Sequence, residues 1–306
     1  MNQFLQQLIN GLSLGSIYAL IALGYTMVYG VLRFINFAHG DVFMLGAYVG
    51  LYSGRYLSGK MQAEPSILLA LSVLAISMVV CAIVGVVIER LAYAPLRSRP
   101  RLTVLITAIG VSLFLEYGGQ QFFGAGPHFF APILPSYELH TGALSITSNQ
   151  LIVLSVTVVL LVALTFIVLK TKMGTAMRAL SFNPTAASLM GINNNVIISF
   201  TFGLGSALAA AAGILWAVNY PSINPLMGLL PGIKAFVAAV LGGIGNIPGA
   251  ALGGLILGVT ETLVVGYSDR LHIPPSYRDA VAFVVLIVIL LFKPSGLLGK
   301  STSEKV

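Results

Sequence analysis

The chain has 306 residues, of which 57% are hydrophobic and only 8% are charged. Soluble domains carry about 25% charged residues, so this composition excludes an ordinary soluble enzyme and indicates a polytopic membrane protein. The net charge is +7, but the cations fall in short segments between apolar runs, without a basic cluster that contains interleaved aromatic residues. We therefore expect membrane lipid around the chain and no nucleic-acid partner.

The cysteine and histidine residues form no recognisable chemical motif. Cys81 is the only cysteine and lies inside an apolar run, and the four histidines fall in separate segments. This distribution supports neither a disulfide framework nor a metal site or a catalytic triad. The first residues, M-N-Q-F-L-Q-Q-L, contain no Lys or Arg and no clear cleavage site, so we interpret them as part of the first membrane span.

In chain order, the apolar runs predict an all-α fold: a polytopic helical membrane protein with about eight transmembrane helices and one half-length broken segment. A single membrane domain is predicted to cover residues 1–306. The half-length segment, 233–244, is too short for a full crossing and is followed by the glycine-rich G-G-I-G-N-I-P-G. The predicted spans are 4–32, 36–57, 66–88, 102–123, 151–169, 196–218, 250–265 and 280–292.

The Lys and Arg residues predict the orientation. If the central polar stretch is cytosolic, eleven of the sixteen cations lie on the cytosolic side. The positive-inside rule then places the N-terminus outside and the C-terminus inside, with segment 233–244 counted as one pass. The cytosolic cations are Arg33, Arg90, Arg97, Arg99, Arg101, Lys170, Lys172, Arg178, Lys293, Lys300 and Lys305; the five others, outside or near the outer surface, are Arg55, Lys60, Lys234, Arg270 and Arg278.

The longest polar interruption, 170–195, is predicted to contain a short separate helix over 185–190. Asn183 can cap it, Pro184 suits its first position and Gly191 can adopt the left-handed turn that ends it. Roughly two turns cannot span a membrane, but a small or apolar helix with basic flanks suits a groove on a cytosolic partner, with Ala187 facing that groove. An ordinary basic loop explains the same spacing. The helix residues are Ala186, Ala187, Leu189 and Met190, and the flanking cations are Lys170, Lys172 and Arg178.

Five polar residues within or beside the predicted spans are candidates for lining a transport pathway: Asn36, His39, Asp41, Glu116 and Glu261. His39 and Asp41 are two positions apart, so they point about 200° apart on a helix and do not form one site. Capping by Asn36 and a buried hydrogen bond also explain this stretch. Glu116 and Glu261 are interpreted as isolated carboxylates, which in a membrane face either a cavity or a bonding partner.

The glycine-rich stretch and the C-terminal motif both fail to match nucleotide-binding patterns. Gly242, Gly243, Gly245 and Gly249 indicate either an unwound segment beside a pathway or a tight turn with close packing. G-L-L-G-K-S has Pro294 where a phosphate-binding loop requires its first glycine. We therefore expect this chain to bind no ATP and to have no catalytic residues.

Four motifs, in this order, resemble those of the permease of bacterial branched-chain amino acid ABC transporters (LivH type), and the resemblance runs nearly end to end. They are R-F-I-N-F-A-H-G-D-V-F-M-L-G-A-Y (33–48), M-R-A-L-S-F-N-P-T-A-A-S-L-M-G-I-N (177–193), V-L-G-G-I-G-N-I-P-G-A-A-L-G-G-L-I-L-G-V-T-E (240–261) and L-F-K-P-S-G-L-L-G (291–299).

The resemblance implies a subunit of a bacterial inner-membrane importer, without enzymatic activity of its own. Its implied partners are a second homologous permease (LivM type), two cytosolic ATPases that use ATP and Mg, and a periplasmic binding protein that delivers leucine, isoleucine or valine. The segment 171–195 would be a cytoplasmic coupling loop that docks on an ATPase. The residues implied in coupling are Arg178, Asn183, Pro184, Ala186, Ala187, Leu189, Met190 and Gly191.

Three alternatives stay open from the residues. Relatives with the same motifs carry urea, short amides or other amino acids. An ion-coupled secondary carrier would use a buried carboxylate, for which Glu116 or Glu261 could serve, and a channel would explain the glycine breaks. Neither the carrier nor the channel requires a capped coupling helix.

Overall fold

The structure is a computed structural model, and it describes residues 2–61, 64–97, 99–141, 144–272 and 274–299. Its twelve α-helices within these ranges are α1 Asn2–Leu32, α2 His39–Met61, α3 Ile67–Ile88, α4 Arg101–Phe123, α5 Ser148–Lys170, α6 Lys172–Phe182, α7 Pro184–Leu189, α8 Asn194–Asn219, α9 Leu229–Gly242, α10 Ile247–Gly266, α11 Ser268–Leu271 and α12 Arg278–Phe292. A π-helical turn, Glu89–Tyr93, continues α3, and one 3-10 turn follows it while another precedes α12.

The polytopic helical fold is confirmed. Among the described residues, seven helical stretches are long and apolar enough to cross a membrane, and they contain α1, α3, α4, α5, α8, α10 and α12. The remaining predicted span corresponds to α2, which has 23 residues and lies outside that set. The half-length segment corresponds to α9, with 14 residues.

The most apolar stretches of α1 and α8 lie at the centre of the bundle and are almost completely buried, whereas those of α3, α4 and α5 are mostly exposed or only partly buried. Helix α1 packs along α10 and α8, and α8 also packs along α2 and α3. Small residues permit these approaches: a side chain at Gly258 would collide with the backbone of Gly15, and one at Gly46 would collide with Ala210. Close backbone contact replaces hydrophobic burial as the source of attraction between helices in lipid.

The loop between α4 and α5, which lies between two predicted spans, contains short strands. Strands β2 (Glu138–Thr141) and β3 (Leu144–Thr147) form an antiparallel hairpin, and β1 (His128–Phe129) pairs antiparallel with β4 (Ser222–Ile223). The side chain of Gln6 binds the Ser145 backbone through both its amide atoms, which joins the hairpin to the start of α1. We call this end of the bundle the hairpin end.

The opposite end of the bundle collects the basic loops, and we call it the basic end. Arg33, after α1, donates to the Ser181 carbonyl of α6 at 3.3 Å. Arg97, after α3, donates to Asn195 at the start of α8 at 2.5 Å. The segment that follows α12 reaches the same end, because Leu297 donates its backbone N–H to the Leu241 carbonyl at the end of α9. The structure therefore brings together the loops that the charge count assigned to one side.

Candidate functional site

The central polar stretch forms two consecutive helices at the basic end. Asn183 accepts hydrogen bonds from the backbone N–H groups of Thr185 and Ala186, both at 3.0 Å, and Gly191 has a φ of +82°. The cap, the helix and its left-handed stop are confirmed. The sequence analysis missed α6, which Thr171 caps by accepting from the Gly174 N–H at 3.1 Å. Thr171 before K-M-G was a readable capping signal.

Large apolar side chains project from this two-helix segment into open space. Phe182, Leu189 and Met190 are 88%, 84% and 83% exposed, whereas Ala187 is only 4% exposed. The expectation that Ala187 faces a partner groove is therefore wrong. Helix α7 turns Ala187 towards the rest of its own chain, and the Ala187 carbonyl accepts from the Ile192 N–H.

Polar contacts fasten the two-helix segment to three long helices. Arg178 donates to the Val168 carbonyl at the end of α5, Arg33 holds Ser181, and Asn194 at the start of α8 donates to the Pro184 carbonyl at 3.0 Å. Helix α6 is thus attached to the ends of α1 and α5, and α7 is attached to the start of α8. Arg178 contributes to this attachment and also bonds Thr175 within α6.

Glu89, which directly follows the predicted span 66–88, forms a buried ionic cluster at the basic end. Its carboxylate pairs with Arg97 and accepts from the Ser199 hydroxyl at 2.7 Å. Arg97 also holds Asn195, which lies just beyond the loop that follows α7. This cluster joins the π-helical turn after α3 to the first turns of α8, and π-helical turns frequently occur at functional sites.

His39 and Asp41 face different helices, as the helical spacing predicts. His39 Nε2 lies 3.2 Å from the Ile21 carbonyl of α1. Asp41 accepts from Ser112 of α4 at 2.5 Å and lies within hydrogen-bond reach of Glu116, so the expectation that Glu116 is isolated is wrong. Asn36 accepts from the Tyr93 hydroxyl at 2.6 Å. The side chains of the four candidates Asn36, His39, Asp41 and Glu116 are buried within the chain.

Glu261 is also not isolated, because it forms the centre of an ionic cluster near the hairpin end. Lys234 Nζ lies 2.6 Å from its Oε1, while Arg278 Nε and the Tyr18 hydroxyl donate to its Oε2 at 3.1 and 3.0 Å. Lys234 Nζ also lies 2.6 Å from Asp279 Oδ1. Two cations and two carboxylates thus connect α9, α10 and α12 to α1.

This ionic cluster forms one wall of a cavity of about 500 Å³, which we call the hairpin-end cavity. It is lined by Tyr18, Trp216, Tyr220, Ser222, Asn224, Leu226, Met227, Leu229, Leu230, Pro231, Lys234, Arg278 and Asp279. An adjoining cavity of about 380 Å³ shares Tyr220 and Arg278 with it and is lined mainly by amide and hydroxyl side chains. Neither was visible in the sequence, because their walls come from four to six separate segments.

Comparison with known proteins decides the family. Residues 7–290 match the family described as "Branched-chain amino acid transport system / permease component". The chain belongs to this family. It is 44% identical to the high-affinity branched-chain amino acid transport system permease protein BraD of Pseudomonas aeruginosa, over 99% of this chain and 98% of that protein. It is 42% identical to the corresponding permease protein LivH of Escherichia coli K12, with the same coverage.

Two further matches are more distant. The permease is 33% identical, over 44% of its length, to the autoinducer 2 import system permease protein LsrC of Yersinia enterocolitica. A solved structure, PsaBC from Streptococcus pneumoniae in complex with Fab, covers 95% of this chain at 13% identity, with a TM-score of 0.46 that is too low to support a fold comparison.

The glycine-rich stretch of the permease is a tight turn and not an unwound pathway segment. Gly243 and Gly245 have φ angles of +103° and +93°, and Asn246 caps α10 by accepting from the Gly249 N–H at 3.1 Å. The G-L-L-G motif packs on this turn, with Asn246 donating to the Leu298 carbonyl at 2.7 Å. Among the described residues of the permease, no group of three His, Cys, Asp or Glu side chains is arranged to hold a metal ion.

Proposed function

We propose that this chain is the membrane permease subunit of an ATP-driven importer that translocates leucine, isoleucine and valine. Family membership and 42–44% identity to permease proteins of high-affinity branched-chain amino acid transport systems support this proposal. The chain is a multi-pass membrane protein of a transport family, and its role is to form a passage and not to catalyse a reaction.

The observation that favours an ATP-driven mechanism is the capped two-helix segment with its exposed apolar side chains. Phe182, Leu189 and Met190 lie at the basic end, beyond the long helices, where a protein partner and not lipid would cover them. We propose that they dock in a groove of a cytosolic ATPase subunit. A self-contained carrier or channel has no use for such a docking helix.

The remaining parts of the proposed importer are those that the family resemblance implies. Two ATPase subunits bind ATP and Mg, a second homologous permease completes the passage, and a periplasmic binding protein delivers the amino acid; this chain itself binds no cofactor. The basic end faces the cytoplasm by the positive-inside rule, so the hairpin end faces the periplasm. The whole complex lies in a bacterial inner membrane.

Reconstitution of the complete complex in proteoliposomes tests this proposal. We expect uptake of radiolabelled leucine that requires ATP on the cytosolic side and the binding protein on the other side. Uptake that persists without ATP, driven by an ion gradient, would instead establish a secondary carrier. Transport of urea or short amides without leucine would keep the importer mechanism but reject the assigned cargo.

A further inference from the structure

The four charges beside the hairpin-end cavity form two layers. In the inner layer, the side chains of Lys234 and Glu261 are 5% and 0% exposed. In the outer layer, those of Arg278 and Asp279 are 34% and 44% exposed and line the cavity. Each inner residue contacts an outer residue of opposite charge: Lys234 pairs with Asp279, and Glu261 pairs with Arg278. The cluster as a whole is neutral.

The outer residues keep bonding capacity that points to a ligand. Arg278 uses Nε for Glu261, and its two terminal nitrogens make no hydrogen bond within the described chain. Asp279 uses Oδ1 for Lys234, and its Oδ2 has no recorded partner among the same residues. A guanidinium held through Nε presents a fork for a carboxylate, and a carboxylate held through one oxygen presents the other to an ammonium group.

Most of the remaining cavity wall is apolar or aromatic, and Ser222 and Asn224 are its uncharged polar residues. Its large apolar side chains include those of Trp216, Leu226, Met227 and Leu230. A volume of about 500 Å³ falls within the usual range for small-molecule sites, which combine apolar walls with a few convergent polar groups. The charged layer and the apolar wall together match a zwitterion that carries a hydrocarbon side chain.

We propose that the hairpin-end cavity is the first binding site for the transported α-amino acid in this permease. Arg278 binds the substrate carboxylate, Asp279 binds its ammonium group, and the apolar wall receives its branched side chain. Glu261 and Lys234 are positioning residues that fix the two outer side chains. The assignment rests on the proposed function, because the hairpin end receives substrate only if it faces the binding protein.

Uptake and ATP hydrolysis, measured together in proteoliposomes, test the charged layer. For Arg278→Gln and Asp279→Asn we expect at least tenfold lower leucine uptake, while ATP hydrolysis stimulated by the leucine-loaded binding protein persists within about twofold of the unaltered complex. Arg278→Lys should retain part of the uptake, since it keeps the charge but loses the fork. Arg270→Gln, at an exposed cation of the hairpin end outside the cavity, serves as the matched control.

Substrate selectivity tests the apolar wall, even if a charge variant fails to assemble. Leu230 is 47% exposed and therefore tolerates replacement. For Leu230→Phe, which narrows the cavity, we expect the ratio of valine to leucine uptake to rise at least threefold. The same binding protein delivers both amino acids to both preparations, so its own selectivity cancels. Leu252→Ala, at an exposed residue of α10 outside the cavity, should leave the ratio unchanged.

The outcomes separate this assignment from the function on which it rests. If the unaltered complex shows no ATP-dependent leucine uptake, the proposed function is wrong and the site falls with it. If the unaltered complex transports leucine but both charge variants retain full uptake, or Leu230→Phe leaves the valine-to-leucine ratio unchanged, the function stands and the site is rejected.

Discussion

Glu261 shows how much a single buried charge in this protein depends on its surroundings. Its carboxylate contacts Lys234, Arg278 and Tyr18, which belong to three different helices. An unpaired charge inside a membrane protein costs free energy. Removing one charge of a pair therefore leaves its partner unpaired at a similar cost. The cluster therefore fastens α10 to α1, α9 and α12.

We expect Glu261→Gln to destabilise the permease by about 3 kcal/mol, because buried Lys234 then has only Asp279 as a counter-charge. Tyr18→Phe removes one hydrogen bond and should cost about 1 kcal/mol. Thermal unfolding of the purified permease complex, with both variants beside the unaltered protein, measures the difference. Equal stability of Glu261→Gln and the unaltered protein would show that the cluster does not hold these helices together.

The sequence pointed to Glu261 but not to its partners. A carboxylate within an apolar run is conspicuous, whereas Lys234 and Arg278 lie near the ends of other helices, where cations are ordinary. Their meeting depends on how α9 and α12 pack against α10, and no local pattern records that packing. The sequence likewise named Glu116 and Asp41 as candidates but did not show that they lie close together, because they belong to different helices.

At the scale of elements, α7 was predictable because its start and stop signals are local. The Asn183 cap, Pro184 and Gly191 act within one short segment, so each could be read in order along the chain. Which face the helix turns outward was not predictable, since six residues are too few to show an amphipathic pattern. The structure assigns the exposed face to Leu189 and Met190 and the inward face to Ala187.

Because Leu189 is exposed and Ala187 is buried, we predict different effects for charge substitutions at these two positions of α7. Leu189→Glu places a carboxylate on the exposed docking surface, so the permease should assemble normally but lose at least tenfold in ATPase association. Ala187→Glu buries a charge against its own chain and should reduce the yield of folded permease. Thr185→Glu, in the first turn where a carboxylate is favourable, is the control. Co-purification of the ATPase, normalised to permease, measures the effect.

Normal ATPase association for Leu189→Glu would contradict the docking role of that surface. Loss of association for all three variants would show instead that any added charge on α7 is disruptive. The exposure of Leu189 would then no longer support its role in docking.

The Glu89 cluster is the second element with a testable role, because it links α3 to the segment that follows α7. Removing the charge of Glu89 leaves Arg97 partly buried without its counter-ion, and Arg97 is then expected to release Asn195. We expect Glu89→Gln to preserve ATPase association but to lower uptake per ATP hydrolysed by at least fivefold. Arg99→Gln, at an exposed cation of the same end whose side chain makes no hydrogen bond within the described part of the chain, is the matched control.

If Glu89→Gln transports with normal efficiency per ATP, the cluster only stabilises the structure and has no role in coupling. If both variants lose efficiency equally, local charge at the basic end matters and the specific Glu89–Arg97–Asn195 link does not.

For the whole molecule, the sequence predicted the class, the order of the spans and the grouping of the basic loops. These properties follow from hydropathy and charge, which act on each segment independently. The burial of α1 and α8 at the centre was not predictable, because every span is apolar and apolarity does not separate lipid-facing from buried surfaces. The small residues of α8 were the one usable signal, and they do mark close packing against α2.

Orientation across the membrane is the property of the whole molecule that labelling tests most directly. With buried Cys81 replaced by Ala as the background, single cysteines at Phe182 and Tyr137 lie at opposite ends and are 88% and 67% exposed in the native residues. The permease is expressed without the ATPase, which would otherwise cover Phe182. Tyr137→Cys, at the hairpin end, should then react with an impermeant thiol reagent in cells whose outer membrane is permeabilised, whereas Phe182→Cys should react only after the inner membrane is opened. Phe182 is preferable to Thr171, because Thr171 caps α6 and its replacement would disturb this helix.

This labelling pattern is expected because most Lys and Arg residues lie at the basic end, and cytoplasmic loops retain such cations. The reverse pattern would turn the permease over, leaving its docking surface outside the cell and out of reach of any ATPase.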